Sequence, residues 1–234
     1  MPQFETFKAV LKESRYLSKD VMNFSFEAPL SFTFTAGQFV IIKITNNGET
    51  KNRSYSILNP PSERGKIKLC AKIIEGGFAS DILKSARVGD SFEMQGPFGF
   101  FVFDEKKAGK NETEHRFICT GAGLTPLYSM LMEHVKNNPA VSFTLLFGCR
   151  TVSDILFYDE LKKLAQECPN FKYLVTLSQE KWNGLQERVQ QHLPQDINNK
   201  MFYLCGFKDM VLDTQQALKN KGVSPENIKI ERYT

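Results

Sequence analysis

Cysteine is scarce and scattered. Cys70, Cys119, Cys149, Cys168 and Cys205 are odd in number and form no C-x-x-C pair. That spacing argues against a disulfide framework, a zinc site or a cysteine-ligated iron–sulfur cluster within this chain. Histidine is rarer still. His115, His134 and His192 lie far apart, in polar or helical surroundings, and give neither metal-ligand spacing nor a catalytic triad. No apolar run reaches the roughly 18 residues of a transmembrane helix. The start, "MPQFETFKAV", has no basic stretch followed by an apolar one. The expectation is a chain without a secretory signal that keeps its thiols reduced in the cytoplasm. Internal repeats, low-complexity tracts and the G-x-S-x-G, H-E-x-x-H and Walker A patterns are all missing. Net charge is only +4, with no dense basic run carrying interleaved aromatics, which argues against nucleic acid. Such a surface fits an acidic protein partner or ordinary solvated lysines.

The 234 residues, 41% hydrophobic and 24% charged, have the balance of a globular chain long enough for two domains. From Phe4 to about Phe103 the pattern is short strands. "VMNFSFEA", "FVIIKITN", "SYSIL" and "KIKLCAKII" are rich in β-branched and aromatic residues, and "NNG" at 46–48 signals a hairpin. A small barrel or sandwich is expected, with one or two helical turns at "ASDILKSA". "DEKKAGKNETEH", Asp104 to His115, carries a single apolar residue and reads as an exposed connection. After it, apolar strand-like runs alternate with helical ones. "RFICT" precedes a helix near "PLYSMLMEHVKNN", and "VSFTLLFG" precedes one over "DILFYDELKKLAQE", with Asp154 suited to cap it. "FKYLVTLS" precedes one at "LQERVQQHL", "MFYLCG" precedes "DMVLDTQQALKNKG", and "NIKIERY" ends the run. This alternation predicts a parallel sheet covered by helices. The expected layout is an all-β domain over 1–104, a linker over 105–116 and an α/β domain over 117–234.

Ligands of open parallel sheets sit at the carboxyl ends of strands, so the strand-to-helix turns draw attention. "TGAGLTP", Thr120 to Pro126, has glycines at 121 and 123 that permit close backbone approach, and a helix start whose free N–H groups favour a phosphate. Alone it fits a phosphate cradle or a plain tight turn equally. "NRSYSILN" offers the Arg53 guanidinium for a diphosphate, with Tyr55 on the same strand face and Ser56 on the other. Alone, Tyr55 also fits core filler and Arg53 a surface residue. "IIEGGFASDIL" repeats the phosphate pattern, with Gly76 and Gly77 leading to Ser80 at a helix start. "YLCGFKDM" puts Cys205 and Gly206 at a strand end, where a lone thiol is packing or a participant.

In this order the pieces resemble the ferredoxin–NADP⁺ reductase superfamily of FAD-containing oxidoreductases, over essentially the whole chain. "FTAGQFVIIKI" is similar to an early barrel strand of that family. "RSYS" matches its R-x-[YF]-S flavin motif, and "LCAK" with "GGFAS" its second flavin stretch. "GPFG" fits the barrel end, "TGAGLTP" the pyridine-nucleotide loop, and "IERYT" the acidic-plus-aromatic terminus.

The resemblance implies a six-stranded antiparallel Greek-key barrel that binds FAD, followed by an α/β NAD(P)H domain. It implies hydride transfer from nicotinamide C4 to flavin N5, then electron release to a separate acceptor such as ferredoxin or flavodoxin. It assigns the FAD pyrophosphate to Arg53 and to Gly77, Phe78, Ala79 and Ser80. Ser54, Tyr55 and Ser56 are placed at the flavin, with Ser56 near N5, and Cys70, Ala71 and Lys72 along its border. Thr120, Gly121, Ala122, Gly123, Leu124, Thr125 and Pro126 receive the nicotinamide nucleotide. Cys205 and Gly206 flank the nicotinamide, and Glu231 and Tyr233 lie close to the flavin. Ser56, Cys205 and Glu231 are the implied catalytic residues.

Three positions depart from the family pattern: Ala122 for Thr, Phe207 for Pro, and Gln179 where NADP-preferring members carry a basic residue. NADH against NADPH stays open, with Arg150 and Ser178 leaning to NADPH. A reductase of free flavin and an electron-transfer subunit of a larger complex are the alternatives.

Overall fold

A computed structural model describes residues 4–108 and 113–233. The chain divides into two compact units. One runs up to Val102 and takes in Tyr128–Glu133. The other holds Phe103–Leu127 and His134 onward.

The first unit is built from β1 (Glu5–Tyr16), β2 (Val21–Glu27), β3 (Phe39–Asn46), β4 (Glu49–Ser56), β5 (Lys66–Lys72), α1 (Phe78–Ser85) and β6 (Ser91–Phe98). The strands form one sheet in the order β4-β3-β6-β1-β2-β5, and every pairing is antiparallel. Beyond the two ends of that order, Ile57 bridges Leu69, and Leu58 N–H donates to the Lys68 carbonyl at 2.8 Å, which curls the sheet into the expected Greek-key barrel. Alternation along the strands explains the closure. Val40, Ile42 and Ile44 of β3 point into one core with Phe24, Phe26, Ile67 and Met94. The "NNG" signal is a two-residue hairpin turn, with Asn47 and Gly48 both at positive φ between paired Asn46 and Glu49.

The second unit contains α2 (Glu105–Ala108), β7 (Glu114–Thr120), α3 (Leu124–His134), β8 (Ser142–Cys149), α4 (Tyr158–Glu167), β9 (Phe171–Leu177), β10 (Leu185–Gln186), β11 (Lys200–Phe207), α5 (Lys208–Asn220) and β12 (Ile228–Tyr233). Tyr128–Glu133 of α3 group with the first unit, as stated above. Its sheet is fully parallel, in the order β10-β9-β8-β7-β11-β12. The chain moves outward from β7 to β10, then returns to the other side of β7 with β11. The strand order therefore reverses between β7 and β11, and the carboxyl ends of these two strands form the topological switch point. Among the described residues no helix is long and apolar enough to cross a membrane.

Four expectations need correction. "LQERVQQHL" is not an α-helix: it gives the short strand β10 and a 3-10 turn at Val189–His192. Leu185 pairs with Thr176, and the Thr176 hydroxyl donates to the Glu187 carbonyl at 2.6 Å, so β9 captures the segment before it can coil. Asp154 does not cap α4. It closes a separate 3-10 turn, Val152–Asp154, and α4 starts at Tyr158 after Phe157 at φ 53°. Within the stretch read as a linker, Glu105–Ala108 is helical and β7 already begins at Glu114, while residues 109–112 lie outside the described residues.

The charged neighbours of His115 predict polar surroundings, yet it is fully buried in an aromatic group. Its ring lies 4.6 Å from Phe103, which also stacks on His134 at 4.3 Å. Nδ1 meets the Tyr203 hydroxyl at 3.1 Å, and Nε2 is buried without a partner. Burial pushes the imidazole down to about 4, against an opposing pull from Asp104. The unfolded value is about 6.5. The neutral ring is therefore the folded form. Its stabilisation is complete above pH ~6.5 and is lost as pH falls through about 4, a span worth at most about 3 kcal/mol. The expected result is a thermal midpoint that drops between about pH 7 and about pH 4.5, with a smaller drop in His115→Gln. An unchanged slope in the variant would remove His115 from the account.

Candidate functional site

In the barrel, strand alternation puts Lys51, Arg53 and Tyr55 of β4 on one face. The Lys51 ammonium lies 4.5 Å from the centre of the Phe78 ring, and the Arg53 guanidinium 5.8 Å from it. Phe78 is the first residue of α1, whose N-cap, Gly77, makes no side-chain cap hydrogen bond. Asn46 Nδ2 fixes this end from the side, donating to the Phe78 carbonyl at 3.2 Å. Ser80 was expected at the helix start. It is the third helical residue, and its Oγ accepts from Ile74 N–H at 3.0 Å, folding the glycine turn back on itself. Two cations thus face an uncapped helix N-terminus, a donor set suited to a diphosphate. Lys51 already pairs with Glu49 at 2.9 Å, whereas Arg53 Nη1 donates to the Asn52 carbonyl at 2.9 Å.

Beside this cradle, Tyr55 is partly buried at the core edge, and Ser56 is buried. Burial pushes the Tyr55 phenol up to about 12, with Arg53 opposing, so it stays a neutral donor. Ser54 is exposed. On β5, Cys70 and Ala71 are buried, while Lys72 reaches out to Asp20 at 3.3 Å. Ala79 is buried in α1.

In the parallel sheet, Thr120 ends β7, and Gly121, Ala122 and Gly123 form a 3-10 turn that runs into α3 at Leu124. The two glycines serve different ends. Gly121 sits at φ +54°, with only the Phe207 ring near its missing side chain. At Gly123 a side chain would stand 2.3 Å from the Cys205 carbonyl oxygen and 2.6 Å from the Gly206 Cα. Its bareness lets the turn seat directly on β11. Thr125 Oγ1 donates back to the Ala122 carbonyl at 2.7 Å and pins the turn, while Leu124 and Pro126 are buried.

Thr120 Oγ1 is buried without a hydrogen-bond partner, and a side chain on Gly206 would meet it at 2.7 Å. An orphaned hydroxyl at the switch point is a polar group available to a ligand. Cys205 is fully buried, and β12 sets Glu231 opposite it in register. Burial pushes the Cys205 thiol up, Glu231 adds to this and the Tyr233 hydroxyl opposes it, so the thiol packs as a neutral group. All five cysteines are buried free thiols.

At the ends of β8 and β9 lies a cleft of about 390 Å³ lined by Val152, Tyr158, Trp182, Asn183 and Gly184. The indole is held by Nε1 donating to the Leu185 carbonyl at 2.8 Å, and it lies where a side chain on Gly184 would stand, 2.2 Å from the ring. Arg150 and Ser178 are exposed at the same strand ends, and Ser178 Oγ donates to the Cys149 carbonyl at 3.4 Å. Sequence reasoning missed Lys51, Asn46 and Trp182, and assigned Asp154 only to a helix cap. Two-residue alternation from Arg53 marks Lys51, and the R-x-x-x-D spacing of a helical ion pair marks Asp154. Asn46 and Trp182 carry no such local signal.

The cradle in the barrel and the orphaned hydroxyl in the sheet fit FAD and a nicotinamide nucleotide respectively. Comparison with known proteins identifies the two domains as a whole. The family described as "Oxidoreductase FAD-binding domain" matches residues 8–103, and "Oxidoreductase NAD-binding domain" matches residues 117–216. The chain is 32% identical to ferredoxin–NADP reductase B of Sorangium cellulosum, over 100% of both chains. It is 26% identical to the reductase component DmpP of phenol 2-monooxygenase from a Pseudomonas species, over 98% of this chain and 66% of that one. A crystal structure of a Neisseria gonorrhoeae ferredoxin NADP⁺ reductase with bound FAD and NADP superposes with a TM-score of 0.86 at 19% identity, covering 97% of this chain and 98% of that one. This chain therefore belongs to the ferredoxin–NADP⁺ reductase superfamily of FAD- and NAD(P)-binding oxidoreductases.

Proposed function

We propose that this reductase works in the cytoplasm and passes electrons from NAD(P)H to a separate, small, acidic redox protein of the ferredoxin or flavodoxin kind. The observation that carries the proposal is the likeness, along the whole of both chains, to a protein named for ferredoxin reduction. The dispersed cysteines support it, because the chain has no clustered thiolates for an iron–sulfur centre of its own. Bound FAD supplies a centre that takes two electrons together and releases them singly.

The protein's part is binding and orientation. In this reading Arg53, Lys51 and the first turn of α1 hold the FAD diphosphate, and Tyr55 and Ser56 border its ring. Gly77 to Ser80 shape the turn below. The barrel then corresponds to the domain ending near residue 104. In the α/β domain from 117, the loop Thr120 to Pro126 receives the nucleotide, and Thr120 Oγ1 is its waiting donor. Cys205, Gly206, Glu231 and Tyr233 form the neighbouring wall. No side chain is asked to move a proton, in keeping with a hydride reaction.

A second reading comes from the phenol 2-monooxygenase likeness: the acceptor is an oxygenase component. The test is steady-state reduction by purified, flavin-quantified protein. Ferricyanide establishes the reductase, and then ferredoxin, flavodoxin and an oxygenase component are compared as acceptors. Reduction of the acidic carriers that weakens as salt rises is expected. Ferricyanide reduction without transfer to ferredoxin or flavodoxin would defeat the proposed acceptor class. A colourless protein active only with added free flavin would defeat bound FAD.

A further inference from the structure

Arg150, the residue that leans the sequence towards NADPH, is already engaged. Its Nε donates to one carboxylate oxygen of Asp154 and its Nη2 to the other, both at 3.3 Å. Asp154 is itself held in place: Thr151 N–H donates to it at 3.2 Å and the Thr151 hydroxyl at 3.1 Å. A second carboxylate closes the same turn, since Glu180 accepts from Val152 N–H at 2.9 Å. Burial alone would raise the Asp154 carboxyl, yet Arg150 and Thr151 hold it below its ordinary value, so it is charged at neutral pH. Asp154 therefore holds the guanidinium while Glu180 fastens the backbone of the same turn, the one that supplies Val152 to the Trp182 cleft. Gln179 beside them is neutral, and Lys181 is exposed to solvent.

We infer that this cleft takes the adenosine end of a nucleotide whose ribose 2′-hydroxyl is free, and that Asp154, by occupying Arg150, selects NADH over NADPH. Tyr158 and Trp182 supply flat walls for a purine, and Asn183 a polar rim. Asp154 takes the Nε and Nη2 edge of Arg150, so a 2′-phosphate reaching the guanidinium meets that carboxylate beside it. Phosphate and carboxylate are then left as like charges a few ångströms apart, and discrimination arises from that repulsion. A free hydroxyl meets no such opposition. The inference rests on the reading of this sheet as the nucleotide domain, and it commits to one nucleotide class where the sequence left two.

Trp182 is the chain's single tryptophan and lies in the cleft, so its fluorescence reports binding without turnover. Holoprotein is titrated with 5′-AMP and, separately, with 2′,5′-ADP. The expected result is saturable quenching by both, with 2′,5′-ADP weaker by about tenfold or more. Asp154→Asn frees Arg150 and should erase or reverse the gap, while Asp154→Glu should keep it. Tighter binding of 2′,5′-ADP to the unmodified protein overturns the inference, as does an Asp154→Asn variant of native melting temperature with an unchanged ratio. Absence of quenching by either compound also overturns it, and removes the cleft as the adenosine site. Failure to reduce ferredoxin would sink the proposed acceptor and leave this binding result standing.

Discussion

Arg53→Ala is expected to emerge from gel filtration nearly colourless, with little or no flavin absorbance per mole of protein. Arg53 is the cation of the barrel cradle that donates to a backbone carbonyl, whereas Lys51 is shared with Glu49. A guanidinium grips a diphosphate through two parallel N–H donors. Charge-assisted bonds of that kind are worth roughly 1.5–3 kcal/mol each, so loss of the pair weakens FAD by about a hundredfold or more. Lys51→Ala removes a charge already screened by its carboxylate and should cost only about tenfold or less. Arg53→Lys restores the charge without the fork and should fall between the two. The fold has little stake in Arg53, which contributes one carbonyl contact and a face-on approach to Phe78, so the variant's circular dichroism should match the parent. Full flavin occupancy in a folded Arg53→Ala protein would refute the cradle.

Much of this was legible in the sequence because the signals were local. "FVIIKITN" alternates, ends on an Asn-Gly turn and pairs with the next strand in the register that the turn dictates. The apolar runs after residue 113 are strands because they are short, β-branched or aromatic, and separated by helical lengths of chain. The misreadings share a cause of another kind. Leu185, Val189 and Leu193 sit at helical spacing, and Val189 and Leu193 are indeed buried. They are buried along an extended and 3-10 path, because the edge of β9 and the Thr176 hydroxyl offer that backbone its partners. His115 looked like part of a polar linker because its neighbours are charged. Its burial depends on Phe103 and Tyr203, which stand on either side of it in the chain. Asp154 had the residue type of a cap, but the nearest unpaired N–H groups belonged to its own turn. In the first two cases a partner distant in sequence overruled a local preference, and at Asp154 a competing local turn did.

Gly123→Ala is expected to damage the α/β unit far more than Gly121→Ala, although both lie in one loop and nothing in the local pattern ranks them. A β-carbon at 123 would stand 2.3 Å from the Cys205 carbonyl oxygen, 2.5 Å from the Cys205 carbonyl carbon and 2.6 Å from the Gly206 Cα. Every one of these is backbone. No rotamer can move aside, and β11 is held on both flanks by β7 and β12. Relief requires prying α3 from β11 or breaking the ladder at the switch point. Overpacking of this sort costs about 3 kcal/mol or more, which corresponds to a melting shift of roughly 6–12 °C. At Gly121 the nearest neighbour is the Phe207 ring at 3.6 Å, so the added methyl group meets only ordinary contact and the cost of holding φ at +54°. That cost is about 1–2 kcal/mol. Thermal melts of the two variants settle the ranking. If Gly123→Ala melts within a degree or so of the parent, the close seating of the loop on Cys205 is wrong, and Gly123 reverts to a residue bared for a ligand. If it unfolds early while Gly121→Ala holds, the third residue of the turn is bare because β11 fills its place, and contact with the nucleotide is left to Gly121, Ala122 and the Thr120 hydroxyl.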